Sequence, residues 1–244
     1  MSKKAHIALT PDQVSQRVIV CGEPARVNRI AALLDNPHPL AENREFRSMA
    51  GMYQGQQITV CSTGVGAPSA IIALEELNQC GAKLVIRVGS AGAIQHGIEL
   101  GDLIVAESAV RDEGGSLSYV EAQYPATADR HLTNGLESFL VQHNVQHHVG
   151  VVRSHDSFYR DDESSICEHW HSRGVLACDM ETSALFTVGR LRGMQVASVL
   201  NNVVVYQQDI QAGINQYVDA DTAMMDGELL AAKAALHALV SLRC

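Results

Sequence analysis

The sequence has no excess of positive charge and no long run of Lys or Arg. It carries 18 basic residues against 27 acidic ones, a formal net charge of −9 over 244 residues. An acidic chain without a basic stripe argues against nucleic acid or an anionic membrane as the main partner. Any phosphate group that the chain binds must therefore be held by isolated arginines.

Long apolar segments are also missing. No stretch reaches the roughly 18 apolar residues of a membrane span, and the N-terminal sequence MSKKAHIALTPDQ has no signal-peptide core. The six cysteines are scattered and form no CxxC pair, which favours reduced, structural thiols. We therefore expect a cytoplasmic protein with no membrane partner.

Three common catalytic fingerprints are absent as well, namely GxGxxG, GxxxxGK[ST] and GxSxG. Dinucleotide binding, P-loop chemistry and a hydrolase nucleophile elbow thus lose their sequence support. His169 and His171 would point apart on a helix, and no carboxylate stands at a zinc-protease spacing. We predict no metal site.

What the chain does contain is an alternation of short Val- and Ile-rich runs with amphipathic stretches. The unbroken apolar runs predict strands buried on both faces of a sheet. With no internal repeat or linker, we predict one α/β domain over residues 1–244, in which Arg111 to Arg130 is the least ordered region. The predicted strands are Arg17–Cys21, Gln57–Ser62, Lys83–Val88, Asp102–Ala106, His147–Arg153 and Gln195–Val205, and the predicted helices are Pro24–Leu34, Pro68–Gln79, Glu163–His171, Glu181–Arg192 and Asp219–Leu242.

Three glycine-containing turns directly follow predicted strands. They are Cys21-Gly-Glu-Pro24, Ser62-Thr-Gly-Val-Gly-Ala-Pro-Ser69 and Arg87-Val-Gly-Ser-Ala-Gly92. Each turn can present backbone N–H groups to an anion at the carboxyl edge of the sheet. A tight turn without any ligand is the alternative for each one alone.

Three arginines lie in or near these turns: Arg26, Arg44 and Arg87. Arg87 ends an otherwise apolar strand, where a guanidinium needs a partner. An internal salt bridge is one such partner, and a bound phosphate is the other. Three arginines beside glycine turns favour phosphate.

A second cluster, Cys178-Asp-Met-Glu181, stands where a strand passes into a helix. Its two acids could complement the helix dipole, or Glu181 could accept hydrogen bonds from the vicinal hydroxyls of a sugar. Nearby, Phe158 and Tyr159 could stack on a ring or belong to the core.

These segments, in this order and over nearly the whole chain, resemble the nucleoside phosphorylase family that includes uridine phosphorylase and hexameric purine nucleoside phosphorylase. The most specific match is Ser62–Ser69 followed by Ile72 and Glu75-Glu-Leu77, with a departure at Ile71, where a small residue is usual. The resemblance implies a three-layer fold with a central mixed, twisted sheet between helices. It also implies transfer of a pentosyl group to phosphate.

The resemblance assigns roles to individual residues. Arg87 and Glu181 would be catalytic, and Glu45 with Ser69 would be weak candidates for a monovalent cation. His6 matches a histidine that reaches into the neighbouring subunit's site, so the family implies a homo-oligomer, at least a dimer and by analogy a hexamer. Phosphate would be held by Gly22, Arg26, Arg44, Arg87 and Ser90, ribose by His6, Met180 and Glu181, and the base by Phe158 and Asp162.

The implied reaction needs no cofactor, because phosphate is a co-substrate that attacks an oxocarbenium-like sugar. The base end departs from the family pattern. Asp162 and Ser164 stand where uridine phosphorylases carry Gln and Arg, and Val203 or Val204 stands near the place of the acid in purine phosphorylases. Arg160 is a candidate substitute for reading the base, and the candidate proton donors are Asp209, Asp162 and a water.

We therefore predict an altered base pocket in which uridine is a poor substrate and purine nucleosides are the closest alternative. A non-catalytic nucleoside- or phosphate-binding paralogue remains a second hypothesis. A nucleoside hydrolase is disfavoured, because three arginines would then have no anion to bind.

Overall fold

The computed structural model describes residues 2–207 and 222–242. In these residues the strands are β1 Arg17–Cys21, β2 Asp35–Asn43, β3 Phe46–Tyr53, β4 Gln56–Ser62, β5 Leu84–Ala93, β6 Leu103–Asp112, β7 Ala126–Thr127, β8 His147–His155, β9 Ala177–Asp179 and β10 Gln195–Val204. The helices are α1 Pro24–Ala31, α2 Ala67–Gln79, α3 Gly114–Leu117, α4 Arg130–Gln142, α5 Glu163–His171, α6 Thr182–Leu191 and α7 Thr222–Ser241.

The strands form one mixed sheet with parallel and antiparallel pairs. β1 lies between β4 and β5 in parallel, and the antiparallel strands β3 and β2 extend the sheet beyond β4. β5 also pairs with β10 in parallel and with β9 in antiparallel. Gly92 of β5 pairs with Val204 of β10 and with Cys178 of β9, so these two strands lie on opposite edges of β5. Because β10 continues through β6 and β8 to β9, this half of the sheet closes on itself through β5.

Helices cover both faces of the sheet. α2 and α6 bury one apolar face, with Leu74 and Phe186 in that core. α1, α4 and α7 bury the other, with Ile30, Leu136 and Leu236 in the second core. The expected three-layer arrangement with a central mixed sheet between helices is confirmed.

Several predicted elements have different bounds in the structure. α1 ends at Ala31 instead of Leu34, and the first residues of the predicted last helix, 219–221, lie outside the described residues. β2 was missed because it is mostly exposed and carries two prolines, so it has no apolar period. α4, which Asp129 caps through the amides of His131 and Leu132, was missed as well.

The region from Arg111 to Arg130, predicted to be the least ordered, contains regular structure. It holds the end of β6, the short helix α3 and β7. The Arg111 guanidinium donates to the carbonyls of Val120, Glu121 and Tyr124 at 2.5–3.0 Å. These bonds, which join residues 9 to 13 positions apart within the segment, organise a sequence that has little periodicity.

The described cysteines are free thiols, and Cys244 lies outside the described residues. Burial raises the pKa of Cys21 to about 12, which makes this thiol a poor nucleophile. In the part of the chain that the structure describes, none of the helices is long and apolar enough to cross a membrane.

Candidate active site

A cavity of about 830 Å³ opens where β1, β5, β9 and β10 end. Its volume is in the usual range for small-molecule sites, and its position at strand ends is where α/β proteins place ligands. The predicted site residues that line it are Gly22, Arg26, Arg87, Ser90, Phe158, Met180 and Glu181.

Arg26, in the first turn of α1, is buried and held in one orientation. Its Nε donates to Glu228 of α7 at 2.8 Å, and its Nη2 donates to Ser90 Oγ at 2.8 Å. A further bond joins Nη1 to the Val88 carbonyl at 3.1 Å. The carboxylate of Glu228, which also pairs with Arg29, was missed by sequence reasoning because it lies some 200 residues away in the chain.

Arg87 of β5 forms ion pairs with two carboxylates, those of Asp179 and Glu181. Its Nη2 lies 2.5 Å from Glu181 Oε2, and its Nε lies 3.1 Å from Asp179 Oδ2. The side chain folds back over Gly89, where an added Cβ would stand 2.7 Å from Cζ of Arg87. Glycine is therefore required at position 89 for this arginine conformation.

The two acids of the β9–α6 junction have different roles. Asp179 accepts from the amide and hydroxyl of Thr182 at 3.0 and 2.6 Å, so it stabilises the start of α6. Glu181 instead accepts from the amide of Gly66 at 2.6 Å and faces the cavity. Burial raises the pKa of Glu181, while the positive charge of Arg87 works against that shift.

His6 and Arg44 are not among the described residues that line this cavity. Nδ1 of His6 lies 2.7 Å from Glu76 Oε1, and Asn43 Nδ2 donates to the His6 carbonyl at 2.8 Å. Arg44 is exposed in the β2–β3 turn with a φ of +55°. The two side chains therefore belong to one outer surface of the chain.

Glu45 and Ser69 lie together beside the loop that follows β4. Ser69 Oγ donates to Glu45 Oε1 at 2.9 Å. A Cβ added at Gly64, where φ is +71°, would stand 2.7 Å from the Glu45 side chain. The glycine of this turn thus allows the two side chains to meet.

The structure places Asp162 differently from the sequence expectation. Its carboxylate is exposed and accepts two hydrogen bonds from Arg160, each 2.9 Å long. This local ion pair directs both side chains towards solvent, and neither lines the cavity. Asp209 lies outside the described residues.

Another part of the cavity wall is formed by α5 and the end of β10. Val203 and Val204 are buried there, so the position of the expected acid is apolar. His171 stacks on Tyr206, with ring centroids 4.7 Å apart. Sequence reasoning missed most of this wall, which includes Glu163, Cys167, Glu168, His171, Cys178 and Tyr206.

Comparison with known proteins decides the family. The model of the phosphorylase superfamily matches residues 16–205. The chain belongs to the phosphorylase superfamily. The family resemblance of the sequence motifs is thereby confirmed.

Several members of the superfamily resemble this chain over most of its length. It is 40% identical over 206 residues to a uridine phosphorylase from Thermococcus kodakarensis, covering 80% of this chain and 74% of that one. It is 35% identical over 199 residues to a guanosine phosphorylase from Halorubrum lacusprofundi, covering 82% of each. A crystal structure of uridine phosphorylase from Vibrio fischeri ES114 matches with a TM-score of 0.93 and 60% identity over 99% of both chains.

Proposed function

We propose that this superfamily member is a nucleoside phosphorylase of the uridine phosphorylase type. It cleaves a nucleoside with inorganic phosphate to give a free base and a pentose 1-phosphate. The observation that carries the proposal is the contact between Arg87 and Glu181, 2.5 Å apart in one cavity. It joins a guanidinium suited to phosphate directly to a carboxylate suited to sugar hydroxyls.

In the proposed reaction, phosphate binds beside Arg26 and Arg87, with Ser90 as a further donor. The incoming anion competes with Glu181 for Arg87, so that the carboxylate is released to accept bonds from the sugar hydroxyls. The C1′–N bond then breaks, and its electron pair leaves with the base. A phosphate oxygen forms the new bond to C1′, and the arginines balance the developing charges.

The departing base needs a proton for efficient release. Val203 and Val204 offer none, because both side chains are apolar. We assign the proton to a water or to an acid outside the described residues, of which Asp209 is the sequence candidate. No cofactor takes part, since phosphate is a co-substrate.

The proposal includes a homo-oligomer, at least a dimer and by family analogy a hexamer, in the cytoplasm. His6 and Arg44 share an outer surface of the chain and lie off its own cavity. We therefore infer that these two side chains bind sugar and phosphate in the cavity of a second copy of the chain. Glu45 and Ser69, which contact each other, are a candidate monovalent-cation position at the same surface. Measuring activity with and without K⁺ or Na⁺ tests this assignment.

The decisive experiment is an assay of uridine, thymidine, inosine, guanosine and adenosine with and without phosphate. We expect release of free base only when phosphate is present, together with pentose 1-phosphate. Base release without phosphate would indicate a hydrolase instead. Nucleoside binding without any turnover would indicate the non-catalytic paralogue.

A further inference from the structure

A buried arginine contacts two residues of the cavity wall, Glu163 and Cys178. Arg153 of β8 is 0% exposed, and its Nε donates to Asp112 Oδ2 at 2.7 Å. Its Nη1 lies 3.2 Å from Glu163 Oε1 and 3.8 Å from the Cys178 sulfur. This guanidinium fixes the orientation of the Glu163 carboxylate, because a charge-assisted bond to a buried group is directional.

Glu163 is the first residue of α5, and it lines the cavity. One of its oxygens, Oε1, bonds to Arg153 and lies 3.5 Å from the Cys167 sulfur. The other, Oε2, is shielded from solvent and has no hydrogen-bond partner among the described residues. A buried carboxylate oxygen without a donor is costly, so this atom is suited to accept a bond from a ligand.

The position of Glu163 identifies the part of a nucleoside that it would meet. In the proposed reaction Arg26 and Arg87 hold phosphate, and Glu181 holds the sugar. Glu163 lies on the remaining wall with Phe158 and Cys167. With phosphate and sugar assigned to the other residues, this wall is left for the edge of the base.

We propose that Glu163 is the base-reading residue of this chain and that Arg153 is its positioning residue. The base that it selects carries two adjacent N–H donors, as guanine does at N1 and N2. An ionised carboxylate offers acceptors only. Oε2 has no protein donor among the described residues, and Oε1 has a second lone pair beside its bond to Arg153, so the two oxygens can accept from two parallel N–H groups. This inference rests on the proposed function and specifies its substrate class.

The other common bases fit this carboxylate less well. Hypoxanthine presents one N–H at the same edge and lacks the 2-amino donor. Adenine presents a ring nitrogen acceptor there. Uracil flanks its single N–H with two carbonyl oxygens, which oppose a carboxylate. A site built around an N–H donor rejects analogues that lack it.

The test compares kcat/KM for guanosine, inosine, adenosine and uridine in the presence of phosphate. We expect the wild-type enzyme to prefer guanosine to inosine by about tenfold to a hundredfold, the value of one hydrogen bond to a charged group. In Glu163→Gln the guanosine-to-inosine ratio should fall towards one. Glu168→Gln is the matched control, since it removes a carboxylate from the same helix and cavity wall and should keep the wild-type ratio.

The ratio separates base reading from a purely structural ion pair, because a general loss of stability lowers turnover of both nucleosides alike. A wild-type enzyme that cleaves uridine as well as guanosine, or a Glu163→Gln ratio equal to that of the wild type, overturns the inference and leaves the proposed function intact. If Glu163→Gln does not fold, the wild-type guanosine-to-inosine ratio alone decides. If no nucleoside is cleaved, the proposed function fails, and calorimetric binding of guanosine against inosine still tests the inference.

Discussion

Oε2 of Glu181 lies 2.5 Å from Nη2 of Arg87, so the expected sugar-binding carboxylate and the expected phosphate-binding guanidinium are paired with each other. Both side chains are buried. The sequence hypotheses of an internal salt bridge and of a phosphate site are therefore compatible for this arginine. The same guanidinium pairs with Glu181 in the structure and serves as an anion ligand in the proposed reaction.

This pairing changes the expected effect of Arg87→Ala. If Arg87 were a phosphate ligand only, this substitution would reduce phosphate use with little effect on folding. In the structure, Asp179 and Glu181 would both lose their cation, and removing one partner of a buried ion pair typically costs about 3–5 kcal/mol. Denaturant unfolding should therefore show a large loss of stability in Arg87→Ala.

Arg87→Lys is the sharper probe of phosphate binding. It keeps the positive charge but removes the planar fork that reaches two groups at once. We expect the KM for phosphate to rise by about tenfold or more, with a smaller change in the KM for the nucleoside and in stability. Unchanged phosphate kinetics in this variant would remove Arg87 from the phosphate site.

The ion pairs of two glutamates should differ strongly in their contribution to stability. Glu228 and Arg26 have side chains only 4% and 5% exposed, whereas Glu75 and Arg192 are 19% and 38% exposed. We expect Glu228→Ala to lower the free energy of unfolding by about 3–5 kcal/mol, against at most about 1 kcal/mol for Glu75→Ala. Urea denaturation of both variants measures this difference, and equal losses would contradict it.

Glu76 should make stability depend on acid pH. Partial burial raises its pKa, but hydrogen bonds from the His6 side chain and from the amides of Ile7 and His6 lower it overall below the ordinary value of 4.5. Because the pKa of Glu76 is lower in the folded state than in the unfolded state, its ionised carboxylate stabilises the fold at pH values above the unfolded-state pKa. This stabilisation is lost as the pH falls through the folded-state pKa.

Thermal melts from neutral pH down to about pH 3 test this effect. Glu76→Gln should be less stable than the wild type at neutral pH, and the two melting curves should converge in acid. The exposed Glu121 provides a control, since Glu121→Gln should follow the wild-type curve. A constant gap between wild type and Glu76→Gln at every pH would show that the carboxylate charge does not hold the N-terminal segment.

A shared active site predicts complementation between two defective variants. The double variant His6→Ala, Arg44→Ala keeps an intact cavity, and Arg87→Lys keeps an intact outer surface. When the two are co-expressed, mixed oligomers contain sites with all wild-type groups, so activity should exceed the sum of the separate variants. Strict additivity, or an active monomer in sedimentation, would rule out a site shared between subunits.

The sequence predicted the elements whose periodicity reflects deep burial. β1 and β4 fit their apolar runs because both faces of each strand are covered, and α2 fits because its proline and glycine signals stand at its ends. β2 could not be found in this way, since its pairing with β3 stabilises a strand of exposed residues. Pairing between strands acts across space and leaves no local period.

The same division applies to the site. Gly22, Arg87 and Glu181 could be proposed from local motifs and a family resemblance, because glycine turns and polar residues at strand ends are visible in the sequence. Asp162 was placed at the base by counting along the chain, and its ion pair with Arg160 instead directs it to solvent. Counting along a chain does not determine which side of a loop faces a cavity.

The sequence by itself determined the alternation of strands and helices, the acidic charge and the motifs that mark the family, since all of these are local properties. Tertiary structure alone decided that Glu228 orients Arg26, that Arg87 pairs with Glu181, and that Arg153 positions Glu163. The first two pairs lie 202 and 94 residues apart in the chain, and the third, 10 residues apart, joins β8 to α5. Burial removes these charged groups from water, so each of them is stable only when the fold places an opposite charge next to it.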